Sequence, residues 1–180
     1  MKFFLDNDKL LKGLSYGGLS FFFVLLQITL IPRYPIFGVC PDIVLSCVLS
    51  IAMYEGARFG AVSGIVIGFV IDAVGSYGLS LSPLFYMIFG YITGLCSDYL
   101  FKRGWLSFSM SSAVAYFFRG FLTLINISAA WKQYSTGYVF LHILAPEVLF
   151  SFLFSFPVFF FFSLIAHRFH KNTDVDRPDI

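Results

Sequence analysis

GARFGAVSGIVIGFVID, residues 56–72, is the stretch whose reading decides the fold. Glycines stand at 56, 60, 64 and 68, and the next step of four reaches Asp72. Residues four apart lie one above another on a helix. Gly56, Gly60, Gly64 and Gly68 therefore make a flat groove along an otherwise apolar helix, and that groove ends on a carboxylate. Between helices surrounded by lipid there is no hydrophobic driving force. Small residues let backbones approach closely, and that contact supplies the association. Gly90 and Gly94 repeat the spacing in the next apolar stretch and can face the groove. The stripe then has two uses: it packs a neighbouring helix of this chain, or it docks a transmembrane helix of another protein.

The rest of the chain supports a lipid setting. Of 180 residues, 58% are hydrophobic and 12% are charged. Soluble domains run near 45–50% apolar and about 25% charged. The excess lies in long uncharged runs such as Leu14–Ile31, Val39–Tyr54 and Leu106–Phe118. A run of about 17–25 apolar residues spans a bilayer core of roughly 30 Å. Runs such as FFFVLL and FFFFSLIA do not alternate, which excludes the strands of a transmembrane barrel. The run Phe159–Phe162 covers every face of a helical turn, so part of it must meet lipid or a partner.

The expected fold is an all-α integral membrane protein with six transmembrane helices in a compact bundle. The first covers about Leu14–Ile31 and stops at Pro32 and Pro35. Its 18 residues exceed a signal-peptide core, and no small-residue cleavage site follows, so it is read as retained. The second opens at Pro41-Asp42, where proline suits a first helical turn, and runs to about Tyr54. The third spans about Ala57–Val74 and the fourth Pro83–Phe101. The fifth runs from about Trp105 to Ser128, and the sixth from Pro146 to His167, with Pro157 expected to kink it. Residues 13–167 form the membrane domain, and residues 1–12 and 168–180 are short tails.

Lys and Arg in short loops set orientation. Lys2, Lys9, Lys12, Arg58, Lys102, Arg103, Arg168, Lys171 and Arg177 fall on one side; Arg33 and Lys132 fall on the other. Nine against two places both termini in the cytoplasm, as an even number of helices requires. The tails and loops leave no room for a soluble domain.

Charges within the apolar segments are costly, about 2.5–3.5 kcal/mol each on insertion scales. Asp72 lies fourteen residues beyond Arg58, and Arg119 fourteen beyond Trp105. At 1.5 Å per residue each sits about 21 Å from the cytoplasmic edge. Equal depth and opposite sign predict that Asp72 and Arg119 pair. Gln27, Asp42, Asn126 and Glu147 gather at similar depth as an outer polar cluster. Asp42 and Glu147 also suit the positive ends of the helices they open, worth about 0.3–1 kcal/mol. The cluster is either an internal brace or a polar pocket open to the outer face.

Catalytic signals are thin, and no enzyme activity is expected. His142, His167 and His170 lack metal-ligand spacing with any Cys, Asp or Glu. Cys40, Cys47 and Cys96 are too few and too scattered for a disulfide framework or a zinc site. Gly78-Leu79-Ser80 followed by His142 superficially resembles a membrane serine protease, but its flanks make no nucleophile elbow. No cofactor is implied, and a formal net charge of +2 suggests no nucleic-acid partner.

Residues 41–94, PDIVLSCVLSIAMYEGARFGAVSGIVIGFVIDAVGSYGLSLSPLFYMIFGYITG, resemble the rod shape-determining membrane protein family MreD. The shared features are a Pro-Asp opening to an early helix, a charged turn followed by glycines, and an apolar G-x-x-x-D ending at Gly68 and Asp72. A glycine-containing outer loop and a helix closing on paired glycines follow. The detailed likeness covers about a third of the chain, and the C-terminal half is similar in hydropathy only. The resemblance implies a non-enzymatic component of the bacterial cell-elongation machinery in the inner membrane. It implies association with the single-span shape protein MreC and, indirectly, with an actin-like filament and a peptidoglycan polymerase–transpeptidase pair. Small six-helix membrane proteins with an outward polar pocket are also similar to substrate-capture subunits of energy-coupled vitamin transporters, which is the alternative expectation. An intramembrane enzyme, the remaining reading, would depend on Ser80, His142 or Asp72.

Overall fold

A computed structural model describes the backbone of residues 2–34, 39–75, 81–99, 104–130 and 144–174, with side chains at 11–34, 39–74, 81–97, 104–123 and 144–168. Six helices account for nearly all of it: α1 Lys2–Thr29, α2 Val44–Glu55, α3 Ala57–Gly75, α4 Ser82–Tyr99, α5 Trp105–Ala130 and α6 Ala145–Asp174. No strand occurs among the described residues. Three segments are long and apolar enough to cross a membrane: Leu11–Thr29, Ala57–Val74 and Ala145–Arg168.

The helix ends follow local chemistry. Nothing in residues 2–13 breaks a helix, so α1 starts twelve residues before the apolar run and carries the expected tail with it. Its far end closes just before Pro32, where the Ile31 amide donates to the Leu26 carbonyl at 3.3 Å. α2 and α3 are separated by Gly56 alone. Gly56 has φ of 90°, and its amide donates to the Ala52 carbonyl at 2.9 Å. That conformation favours glycine, so Gly56 serves as a turn as well as the first member of the stripe. α6 runs through Pro157 and on to Asp174, again taking in residues expected as tail.

α2 is the organising element. Every residue from Val44 to Met53 is buried, and the helix touches each of the other five. A helix enclosed on all sides reads as apolar all round. At twelve residues it is about 18 Å long, short of a bilayer core of about 30 Å. Pro41–Ile43 prolong its path as an irregular lead-in. Around it, α3 lies along α4, α5 along α6, and α1 against α2, α3 and α6.

Large apolar side chains also cover the periphery. Phe59, Val62, Val66 and Phe69 on α3, Phe117 and Phe121 on α5, and Leu149 and Leu153 on α6 are all exposed. The phenylalanine run divides cleanly: Phe159 and Phe162 are buried, whereas Phe160 and Phe161 are 49% exposed. Contiguous exposed apolar surface marks contact with membrane or with another protein.

Candidate functional site

Several polar residues of the apolar segments, Gln27, Asp42 and Arg119 among them, converge on the lead-in to α2. Asp42 is 7% exposed. Its Oδ1 accepts from the Val44 and Leu45 amides at 3.1 and 3.2 Å, capping the first turn of α2. Its Oδ2 accepts from the Tyr86 hydroxyl at 2.7 Å and lies 3.5 Å from Arg119 Nε. Its carbonyl accepts from the Tyr116 hydroxyl at 2.8 Å, and its amide donates to Ser151 Oγ at 2.9 Å. One residue thus ties α2 to α4, α5 and α6.

The neighbours complete the network. Gln27 on α1 donates through Nε2 to the Pro41 carbonyl at 3.0 Å and accepts at Oε1 from the Ile43 amide at 2.9 Å. That amide side chain clamps the two residues flanking Asp42. Tyr116 spends its proton on the Asp42 carbonyl, so the 2.5 Å contact with Ser46 is donated by the serine. Arg119 leans over the rings of Phe85 and Tyr86, at 5.7 and 5.6 Å from their centroids, and reaches Ser82 Oγ at 3.5 Å. A guanidinium over an aromatic face gains about 0.5–2 kcal/mol depending on its desolvation.

Arg119 was expected to pair with Asp72. The direct contact goes to Asp42 instead. Asp72, near the end of α3, and Glu147, in the first turn of α6, act on the guanidinium at longer range. Depth alone could not choose between carboxylates at one level. Lateral position does: α5 lies against α2, α4 and α6, which brings Arg119 to the head of α2. Of the expected outer polar cluster, Gln27 and Asp42 thus share one bonded network with Arg119, and Glu147 acts on it at longer range. Asn126 belongs to α5, but its side chain lies outside the described residues, as do Ser80 and His142.

The glycines form a second constellation beside the first. A Cβ at Gly60 would come within 2.6 Å of the Gly90 carbonyl oxygen. At Gly64 it would come within 2.5 Å of the Tyr86 carbonyl. At Gly68 it would meet the backbone of Pro83, and at Gly94 that of Ala57. Gly60, Gly64, Gly68, Gly90 and Gly94 thus lock α3 to α4, backbone on backbone. The groove is filled by this chain. Because Gly64 rests on the backbone of Tyr86, the glycine contact also sets where the Tyr86 hydroxyl points.

Tyr86, Tyr116, Ser46 and Ser151 escaped the sequence reading. Each looks like an ordinary residue of an apolar helix. The available signal was only that buried tyrosines need partners for their hydroxyls. Among the described residues no group of three or more His, Cys, Asp or Glu could hold a metal ion, and Cys40, Cys47 and Cys96 are free thiols. Comparison with protein families, with characterised proteins and with solved structures finds no match to this chain.

Proposed function

We propose that this chain is a non-enzymatic scaffold of the bacterial inner membrane, a component of the cell-elongation complex that docks a single-span shape protein of the MreC type. All six helices then cross or enter the bilayer, both termini are cytoplasmic, and the Asp42 end faces outward. Through its partner the chain supports the actin-like filament and the peptidoglycan polymerase–transpeptidase.

The observation that carries this reading is where the polar groups go. Asp42, Gln27, Tyr86, Tyr116 and Arg119 bond to one another and to backbone. Groups tied together in this way hold helices in register, and that is a bracing role. The stretch that resembles MreD, residues 41–94, is also the part in which both constellations meet: Asp42 heads α2, and the glycines join α3 to α4. With the glycine stripe occupied within the chain, a partner would meet the exposed apolar faces.

Depletion in the host tests this directly. Rounded cells, together with recovery of the host's single-span shape protein on the tagged chain, are the expected result. Cells that keep their shape but acquire a vitamin requirement, with a small molecule bound to the purified chain, would replace it with the transporter reading.

A further inference from the structure

Glycines recur on α1, where none of the described residues packs on them. Gly13 and Gly17 repeat the four-residue spacing, yet a Cβ at either would meet no atom within 4 Å. Both line a cleft of about 730 Å³ between α1 and α3, floored by α2. With Ser20 they hollow the α1 wall, and Val62, Val66 and Val70 form the wall opposite. The two walls belong to segments long and apolar enough to cross a membrane. Where these segments span, the cleft opens sideways into lipid.

Its length and its mouth select the occupant. Along α1 the lining runs from Lys12 to Val24, and along α3 from Phe59 to Val70. These are about 18 and 16 Å, close to one leaflet, or half of a hydrocarbon core of about 30 Å. At the mouth Lys12 Nζ meets Glu55 Oε1 at 2.6 Å, and the lysine keeps 32% of its side chain exposed. Beyond that pair the lining is glycine, serine and apolar side chains, apart from the Tyr16 hydroxyl. The mouth carries one cation and one anion and is net neutral, so with a greasy slot one leaflet deep it matches a zwitterionic lipid, phosphate to Lys12 and ammonium to Glu55, on an acyl chain.

We infer that the α1–α3 cleft is a phospholipid site, with an acyl tail lying along Gly13 and Gly17 and the phosphate at Lys12. Native mass spectrometry of the detergent-solubilised chain, titrated with palmitoyl-oleoyl phosphatidylethanolamine, tests it. The wild type should retain a single lipid. Gly17→Leu should lose it, because the side chain fills the slot. Gly18→Leu should retain it, since Gly18 also has open space around it but does not line the cleft. Lys12→Gln should weaken retention about tenfold, the weight of one charge-assisted hydrogen bond to the phosphate. Equal retention by the wild type and Gly17→Leu overturns the site. A photo-crosslinking residue in place of Val66 gives a second readout in cells. An adduct with lipid supports the inference, and an adduct with another polypeptide or a second copy of this chain overturns it. Neither readout depends on cell shape, so this site and the elongation role stand or fall separately.

Discussion

Two sets of glycines share one spacing and have opposite surroundings. Gly60, Gly64 and Gly68 of α3 are pressed onto the backbone of α4, where even a methyl group would collide. Gly13 and Gly17 of α1 look onto open space. The four-residue spacing specifies a flat strip on a helix and nothing about what covers it. Covering depends on the next element. α4 follows α3 after a short connection and carries Gly90 and Gly94 at the matching heights, so two backbones can meet. Among the described residues no helix presents such a strip to α1, and the gap becomes a cleft.

The same substitution should therefore act in opposite directions in the two regions. Gly64→Ala brings a Cβ to within 2.5 Å of the Tyr86 carbonyl, and backbone cannot rotate aside as a side chain would. Overpacking in a well-packed interior costs about 1–3 kcal/mol, and occasionally more. We expect the upper end, about 3 kcal/mol, because α3 and α4 must separate along their whole contact. Thermal unfolding in detergent checks this. A melting point unchanged by Gly64→Ala would mean that the two helices are not in backbone contact.

Next in size is the head of α2. Asp42→Ala removes a helix cap, the acceptor for Tyr86 and the carboxylate beside Arg119. A cap alone is worth about 0.5–2 kcal/mol. Breaking a fully buried ion pair costs about 3–5 kcal/mol, but Arg119 keeps 26% of its side chain exposed, so only part of that applies. The expected loss is about 2–3 kcal/mol. Asp72→Ala should cost less, since its action on Arg119 is at longer range. Measuring both variants in the wild-type and Arg119→Ala backgrounds gives the two coupling energies. A larger coupling for Asp72 than for Asp42 would reverse the assignment of the pair.

How far the sequence could be read follows from the range of each interaction. Helices were legible from hydropathy because the signal is local and long. The α3 groove was legible because glycine spacing is local as well. The choice of Asp42 over Asp72 was not, because it turns on which helices are neighbours, and that is a property of the whole packing. Tyr86 and Tyr116 were missed for a related reason: a tyrosine in an apolar helix looks the same whether its hydroxyl faces a headgroup or a buried carboxylate. Gly13 and Gly17 were passed over because they stand where the charged start of α1 gives way to its apolar run, although the helix continues through both.

Smaller again is Tyr86→Phe. It deletes a 2.7 Å hydrogen bond to Asp42 Oδ2 while leaving the ring under Arg119 and the backbone against Gly64. A hydrogen bond to a charged group contributes about 1.5–3 kcal/mol, and a neutral one about 1. Because Asp42 keeps three other donors, from Val44, Leu45 and Arg119, the lower figure of about 1 kcal/mol is expected. Thermal melts of the single variant and of Tyr86→Phe with Asp42→Asn test the sharing. Full additivity would show that the hydroxyl and the carboxylate act independently.

The smallest effect returns to α1 and has the opposite sign. Glycine within a helix is less favourable than alanine by about 0.5–1 kcal/mol. At Gly64 that difference is overwhelmed by collision; at Gly17 nothing opposes it, since a Cβ there meets no atom within 4 Å. Gly17→Ala should therefore raise stability by about 0.5 kcal/mol, read as a small upward shift in the detergent melt. Retaining glycine at such a position costs helix stability, and the hollow it leaves in the cleft wall is what the chain gains in return. A Gly17→Ala variant that melts lower than the wild type in protein freed of lipid would mean that α1 packs there against protein, and the two glycine stripes would then be alike.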